Sequence, residues 1–243
     1  MTQAYLQILL MRHGQSVGNA AGRMEGVQST PLSRLGQWQA TCLGRRLATM
    51  APPSHIYCSP LQRAVDTLTH MIKAMAATLE AETYSHSPSW VALPGVASLV
   101  PVHFRDDLQE FDNGVFSGLT WPEACQRYPD LCDRMMTSLE WIPIPQAETL
   151  AAGRARSGRF WQHVLSHHGN GERLWVISHH WLLEQLIAEI LGCDRTWQIA
   201  MANTALFEFW CDRNRWHSAD ANRLNSVLWQ IRHFNDSQHL KQP

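Results

Sequence analysis

Residues 9–19 read LLMRHGQSVGN. The apolar run carries the chain to Met11, and Arg12 and His13 then arrive immediately before a glycine and a polar loop. Together with the residues ahead of it, the segment YLQILLM (5–11) predicts a short buried strand that closes at Gly14. A second segment repeats the plan. RLWVISHH (173–180) predicts another buried strand, and it too ends on histidine, at His179 and His180. Where helices cover both faces of a parallel sheet, chemistry gathers at the carboxyl ends of the strands. Arg12, His13 and His179 are therefore expected to meet at one sheet edge, far apart in the chain as they are.

Working outward, apolar residues at Leu35, Trp38, Cys42, Leu43 and Leu47 follow helical spacing, and Pro52-Pro53 limits that helix. HIYCS (55–59) predicts a strand. Ser59-Pro60 reads as a helix start, with serine as the cap, proline in the first turn, and Leu61, Ala64, Val65, Leu68, Ile72, Met75 and Leu79 along one face. Residues 83–99 lack a steady period and predict a loop or insertion, and VPVHF (100–104) a strand. Helical patterns follow over about 120–136, interrupted at Pro129, and over 148–167, with Leu150, Trp161, Val164 and Leu165 inward. The helix over 181–191 ends at Gly192, and TALFEFW (204–210) and LWQIRHF (228–234) read as strands. This alternation predicts a three-layer α/β/α sandwich with a mostly parallel central sheet and a small inserted loop and helical cap. One domain is expected over residues 1–243, with about 80–146 forming the insertion and cap over the active site.

The totals bound the function. With 243 residues, 45% hydrophobic and 17% charged, the chain can bury its own core, and a formal net charge of -1 argues against a nucleic-acid partner. No apolar run is long enough to cross a bilayer, so no membrane partner is expected. Six scattered cysteines without a C-x-x-C pair, and no leader-like start, predict a reduced, cytoplasmic protein.

R-H-G alone is a weak motif, and its companions carry more. They are Gln15-Ser16 and Asn19, then TPLSRLGQWQA (30–40), SPLQRAVDT (59–67), LQEFDNGVFSG (108–118), WVISHHWLLEQL (175–186) and NTALFEF (203–209). In this order and spacing the blocks resemble the histidine phosphatase superfamily, whose fold is phosphoglycerate-mutase-like. The likeness covers most of residues 5–210. It implies that His13 attacks phosphorus and forms a phosphohistidine, which water then hydrolyses. It assigns Arg12, Arg63 and His179 to the phosphoryl group, with Asn19 as a fifth contact, and Glu110 as the acid that protonates the leaving alcohol. Glu25, Gly26 and His180 complete the expected binding set.

The chemistry fits these residue types. Guanidinium forks match phosphoryl oxygens and can do the work of a metal ion. Cations around His13 also keep its imidazole neutral, as a nucleophile must be. Arg63 lies near a helix start, whose N–H groups favour an anion. A carboxyl partly buried beside departing phosphate can donate a proton at neutral pH. Asp106, Asp107 and Asp112 rival Glu110 for that role.

Several positions depart from the family pattern. His180 stands where relatives place glycine, and either alters the pocket wall or points to solvent. Glu25 stands where they place an uncharged polar residue, so it either turns away from phosphate or selects a substrate hydroxyl or amine. Gln15 and Ser29 replace a common glutamate and aspartate. His163 and His167 have a metal-binding spacing but no third ligand in sequence, and His167-His168 and His179-His180 make poor cages, so no metal and no cofactor are expected. Cys58 and Cys193 read as packed thiols.

Glu110 and His179 are separated by 68 residues (111–178), a span that is longer in cofactor-dependent phosphoglycerate mutases. Water is therefore the expected acceptor. The leading expectation is a metal-independent phosphomonoester phosphatase acting on a small soluble phosphate ester. The alternatives are a cofactor-dependent phosphoglycerate mutase and, in another class, a non-catalytic binding or regulatory protein that retains the fold. Trp121, Trp141 and Phe116 are candidate apolar walls, and assembly into a homo-oligomer is left open.

Overall fold

The computed structural model describes residues 4–79, 86–87, 89–93, 96, 98–217 and 221–241. In chain order its elements are β1 (Leu6–Arg12), α1 (Val17–Ala20), α2 (Arg34–Leu47), β2 (His55–Cys58), α3 (Gln62–Thr78), β3 (His86–Ser87), β4 (Trp90–Val91) and β5 (Val100–Phe104). There follow α4 (Trp121–Arg127), α5 (Pro129–Thr137), α6 (Leu150–His167), β6 (Arg173–Ser178), α7 (His180–Ile190), β7 (Leu206–Cys211) and β8 (Trp229–Asp236).

Strand alternation explains the three layers. Leu6, Ile8 and Leu10 of β1 face one core, with Leu174 and Val176 of β6 and the apolar faces of α6 and α7. Leu9 and Met11 face the other, with Trp175, Ile177, and the residues of α2 and α3. Successive side chains on a strand point to opposite faces, so a continuous apolar run is what a sheet covered on both sides requires.

The sheet order is β3-β4-β5-β2-β6-β1-β7-β8. Its centre is parallel: β5 pairs with β2, β2 with β6, and β6 with β1. Both flanks are antiparallel, β7-β8 on one side and β3-β4 on the other. The expected mostly parallel sheet thus holds for the central strands alone: β7 runs back antiparallel beside β1 after α7, and β8 on that side and β4 and β3 on the other add further antiparallel pairs. Of the expected loop 83–99, the described part contributes β3 and β4, while residues 83–85, 88, 94–95 and 97 lie outside the described residues. The prolines 52–53 fall five residues beyond the end of α2. The 120–136 pattern resolves into two helices that meet at Tyr128-Pro129 and carry a small core of their own around Phe116, Ala124 and Cys132.

The helix faces correct the apolar spacing read for α2. Leu35 and Trp38 are 47% and 39% exposed, and the buried face is Gly36, Gln39, Ala40, Leu43, Gly44 and Leu47. Small residues place the helix. A methyl group at Gly36 would stand 2.0 Å from the Gln15 carbonyl oxygen, and one at Gly44 would stand 2.2 Å from that of Met71. Close packing of backbone on backbone therefore outweighs the pull of the larger apolar residues. Likewise Leu79 and Leu150 lie on the exposed side of their helices.

Gly44→Ala is expected to destabilise the protein by about 1–3 kcal/mol, since α3 must give way to it. Gly158→Ala, in α6, places its methyl 3.6 Å from Glu189 and should instead stabilise by about 0.5–1 kcal/mol through helix propensity. Paired chemical denaturation curves measure both, and equal shifts would show that backbone contact does not set the position of α2.

Candidate active site

β1 and β6 are parallel neighbours with Arg12 opposite Ser178, so the residues that follow them emerge side by side at the carboxyl edge. The His13 backbone N–H donates to the Ser178 carbonyl at 3.0 Å, which fixes the exit of β1. The two imidazoles, His13 and His179, lie with ring centroids 5.0 Å apart. Both are buried, at 2% and 0% exposure.

Arg63, 1% exposed, reaches them from the second residue of α3. Its Nε stands 3.2 Å from His13 Nε2 and 3.1 Å from His179 Nδ1. Its terminal nitrogens donate to the Gly26 and Gln28 carbonyls, each at 2.8 Å, and its backbone N–H to Ser29 Oγ. His13 Nδ1 lies 2.6 Å from the Gly14 carbonyl, an acceptor only, so Nδ1 carries the proton and Nε2 the lone pair. The Gly14 N–H is anchored in turn on Thr67 Oγ1.

Arg12 donates through Nη1 to the Met201 carbonyl, while its buried Nε has no protein partner. A buried donor left open in this way suits an anionic oxygen. The 200–203 segment holds this corner from behind: Asn203 Nδ2 donates to the His13 carbonyl. Asn235 in β8, with φ of 50°, grips the same segment, its side chain donating to the Ala200 carbonyl and accepting from the Ala202 N–H.

Burial disfavours charge on both imidazoles, and Arg63 and Arg12 add to it, so His13 and His179 are held well below the ordinary histidine pKa. Burial also lowers the pKa of Arg12 and Arg63, and the carboxylates of Glu110 and of Glu110 and Glu25, respectively, work against it.

Glu110 follows β5 through a short 3-10 turn and sits at the start of α7. Its carboxylate accepts from the backbone N–H groups of Phe111 (2.9 Å), Trp181 and Leu182 (3.3 Å each). α7 has no side-chain cap from its own N-cap residue, His179, and Glu110 supplies one from elsewhere in the chain. Arg156 of α6 fixes the backbone below by donating to the Gln109 and Glu110 carbonyls. The rivals point elsewhere: Asp106 to the Gln109 side chain, Asp107 to Arg105, and Asp112 to the Gly114 N–H.

Glu25 is buried and faces inward on its own loop. It accepts from Ser16 Oγ, Asn19 Nδ2 (3.1 Å), Thr30 Oγ1 (2.6 Å) and the Thr30 N–H (3.1 Å). Asn19 also closes a capping box with Ser16, so its amide is spent on loop structure. The structure therefore places Glu25 and Asn19 together, with the carboxylate engaged by that loop. Gly26 contributes a carbonyl to Arg63, and its φ of 55° suits glycine. His180 is part exposed and turns to its own helix and the 199 backbone: its Nε2 lies 2.8 Å from the Ile199 carbonyl and 3.2 Å from Glu184. Glu184 raises its pKa. His180 lines a cavity of about 280 Å³ with Glu110, Phe111, Asn113, Trp181, Glu184 and Gln198.

Ser59 corrects the sequence reading most clearly. It does not cap α3, which starts at Gln62 behind Leu61. Its hydroxyl instead lies 2.7 Å from His179 Nε2 and accepts from the Leu61 N–H. Cys58 is a packed thiol whose pKa burial pushes up. Among the described residues no helix is long and apolar enough to cross a membrane, and the potential metal ligands that do converge lie at the other end of the sheet.

The family profile described as "Histidine phosphatase superfamily (branch 1)" matches residues 8–84 and 92–223. The "Metal-independent phosphoserine phosphatase" of Arabidopsis thaliana is 25% identical over 235 residues, covering 96% of this chain and 83% of that protein. "Phosphoserine phosphatase 1" of Hydrogenobacter thermophilus is 27% identical over 205 residues, covering 82% and 84%. The solved structure "Bacillus stearothermophilus YhfR" superposes with a TM-score of 0.71 at 21% identity, over 97% of this chain and 100% of that one.

The depressed imidazoles tie stability to pH. Between the folded and unfolded pKa values the unfolded chain binds more protons, so stability falls as pH drops below about 6.5, each imidazole adding up to about 1.4 kcal/mol per pH unit. Urea unfolding of the wild type and His179→Asn between pH 7.5 and 5 should differ by one such slope. Parallel profiles would mean that His179 protonates freely in the fold.

Proposed function

The chain belongs to the histidine phosphatase superfamily, branch 1, and on that premise we propose that it is a metal-independent phosphoric monoester hydrolase working through a phosphohistidine. The observation that carries this reading is the convergence of His13 Nε2 and His179 Nδ1 on the Nε of one buried arginine. A binding scaffold has no physical need for two buried neutral imidazoles between two guanidinium groups.

In the proposed reaction His13 Nε2 attacks phosphorus, a P–N bond forms, and the ester P–O bond breaks. The departing alkoxide takes its proton from Glu110. Water then attacks the phosphohistidine, Glu110 receives its proton, the P–N bond breaks and inorganic phosphate leaves. Arg63 and the open Nε of Arg12 offset charge on the equatorial oxygens, a demand that dominates phosphoryl transfer.

His179 Nδ1, which accepts from Arg63 Nε, joins them as a donor once it faces a phosphoryl oxygen in place of Arg63 and its proton sits on Nδ1. That tautomer requires Nε2 to accept, and the Ser59 hydroxyl is placed to donate to it. Ser59 is thus a positioning residue acting through His179. Asn19 and Glu25 hold the loop that presents the Gly26 and Gln28 carbonyls to Arg63, and α4 and α5 serve as the cap beside it. The cavity next to Glu110 takes the alcohol portion. Its size and its polar lining, with His180, Glu184, Asn113 and Gln198, support a small polar phosphate ester, and phosphoserine is the first candidate by the two relatives' names. The six unpaired cysteines support a cytoplasmic setting.

Purified protein is expected to release phosphate from phosphoserine or a related small monoester in the presence of chelator, with acid-labile phosphate trapped on the chain. His13→Ala should abolish both, and full turnover in that variant ends the proposal. Glu110→Gln should lose about 10²–10⁴-fold on alkyl phosphates but far less on p-nitrophenyl phosphate, whose leaving group needs no proton. An equal loss on both would remove Glu110 from the acid role.

A further inference from the structure

At the amino ends of the strands, opposite the phosphoryl pocket, a second set of imidazoles converges. His55 opens β2, Glu172 immediately precedes β6, and His168 is the residue on which α6 ends. β2 and β6 are parallel neighbours with His55 beside Leu174, so the first two are adjacent in space, and the end of α6 brings the third. One ligand atom from each lies within 4.8 Å of the other two. Glu172 Oε1 stands 3.1 Å from His168 Nδ1 and 3.7 Å from His55 Nε2. Ligands bound tetrahedrally at about 2.0–2.1 Å stand roughly 3.3 Å apart, so two edges of the triangle are already near the required length.

The groups behind the triangle match as well. A ligating imidazole needs an acceptor for its other N–H, which fixes the ring and its tautomer. His168 Nε2 lies 2.7 Å from the Tyr57 hydroxyl, which lies 3.2 Å from His163 Nε2 and can pass the hydrogen bond on. His55 Nδ1 lies 3.2 Å from His103 Nε2. The second oxygen of Glu172 accepts from the Gly169 N–H at 2.6 Å. Each of the three ligands therefore has its outer partner in place. His168 is buried, while His55 and Glu172 are part exposed, which leaves a side of the triangle open to solvent.

We propose that His55 Nε2, His168 Nδ1 and Glu172 Oε1 bind one divalent first-row transition ion of the zinc, cobalt or nickel class, with water completing the coordination. Two imidazoles and a carboxylate suit such borderline ions, whereas magnesium and calcium prefer all-oxygen sites. His163 and His167, the pair with metal-binding spacing in the sequence, are not the ligands: His163 serves Tyr57. The ion would staple the end of α6 to β2 and β6. It takes no part in catalysis, since the length of β6 puts it about 20 Å from His179.

The test is titration of chelator-stripped protein with Co²⁺, read by its visible d–d absorption, and with Zn²⁺, read by thermal unfolding. One ion per chain should bind saturably, and Tm should rise by about 5–10 °C at zinc a hundredfold above its Kd. Glu172→Gln and His55→Asn should each weaken binding at least tenfold, while His13→Ala, which alters the other close imidazole pair, should bind as the wild type does. Should either ligand variant unfold without metal, the imidazole ¹⁵N spectrum of the wild type decides: zinc must move the His168 Nδ1 resonance. Absence of saturable binding, binding kept in Glu172→Gln but lost in His13→Ala, or an unmoved His168 resonance at saturation each overturns the proposal.

Discussion

A single buried guanidinium sets the terms for the catalytic end of this protein. The groups directly around Arg63 are carbonyl oxygens and the lone-pair nitrogens of two imidazoles. A cation so placed is costly to desolvate, and carbonyl dipoles answer that cost only in part. Two consequences follow. The imidazoles on either side cannot readily accept protons, so His13 keeps a lone pair on Nε2. The loop bearing Gly26 and Gln28 must also hold its shape, because its carbonyls are the cation's nearest support. The pocket is therefore arranged in advance for negative charge, which is where an enzyme gains most from fixed dipoles.

The two carboxylates near this pocket, Glu25 and Glu110, have quite different surroundings. Glu25 is surrounded by hydroxyl, amide and backbone donors of its own loop, so its charge is spent on local structure. Glu110 is held by the first N–H groups of α7 and by Phe111, with Arg156 fixing the backbone beneath it. One acid is locked away and the other is presented to a cavity. Their different surroundings separate their roles, although both are glutamates within reach of Arg63.

Much of this was legible in the sequence. Two apolar runs ending on histidine mark the sheet edge at which His13 and His179 meet, and the spaced blocks add Arg12, Arg63 and Glu110 as expected site residues. Periodicity also placed most helices and strands. It failed where the answer depended on tertiary contact. The packing face of α2 is chosen by glycines that allow backbone to approach backbone, and hydrophobicity alone pointed to Leu35 and Trp38 instead. Ser59 had a local pattern that fits a helix cap, yet its hydroxyl is taken by His179, 120 residues away. The parallel character of the sheet was overread because a strand pattern carries no direction. Thr67 and Asn203 fall inside the spaced blocks but their partners do not show there, and Arg156 and residues 200–202 left no local signal, since these contacts run through backbone groups of distant loops. The histidine group at the opposite rim escaped for the same reason: His55 lies more than a hundred residues from His168 and Glu172 in the chain.

β8 carries an irregularity in its pairing with β7, and Asn235 occupies the left-handed conformation there while holding both Ala200 and Ala202. That segment in turn supports Arg12 through Met201 and His13 through Asn203. An outer strand is usually the part of a sheet most tolerant of mutation. Here the tolerance is uneven along its length, because one side chain must supply a donor, an acceptor and a backbone conformation that few residues adopt. Aspartate could keep the turn but not the donor, and glycine could keep the turn and neither contact. Sequence drift along this margin of the protein is thus constrained at a residue whose side chain bonds to the 200–202 backbone and not to the paired imidazoles.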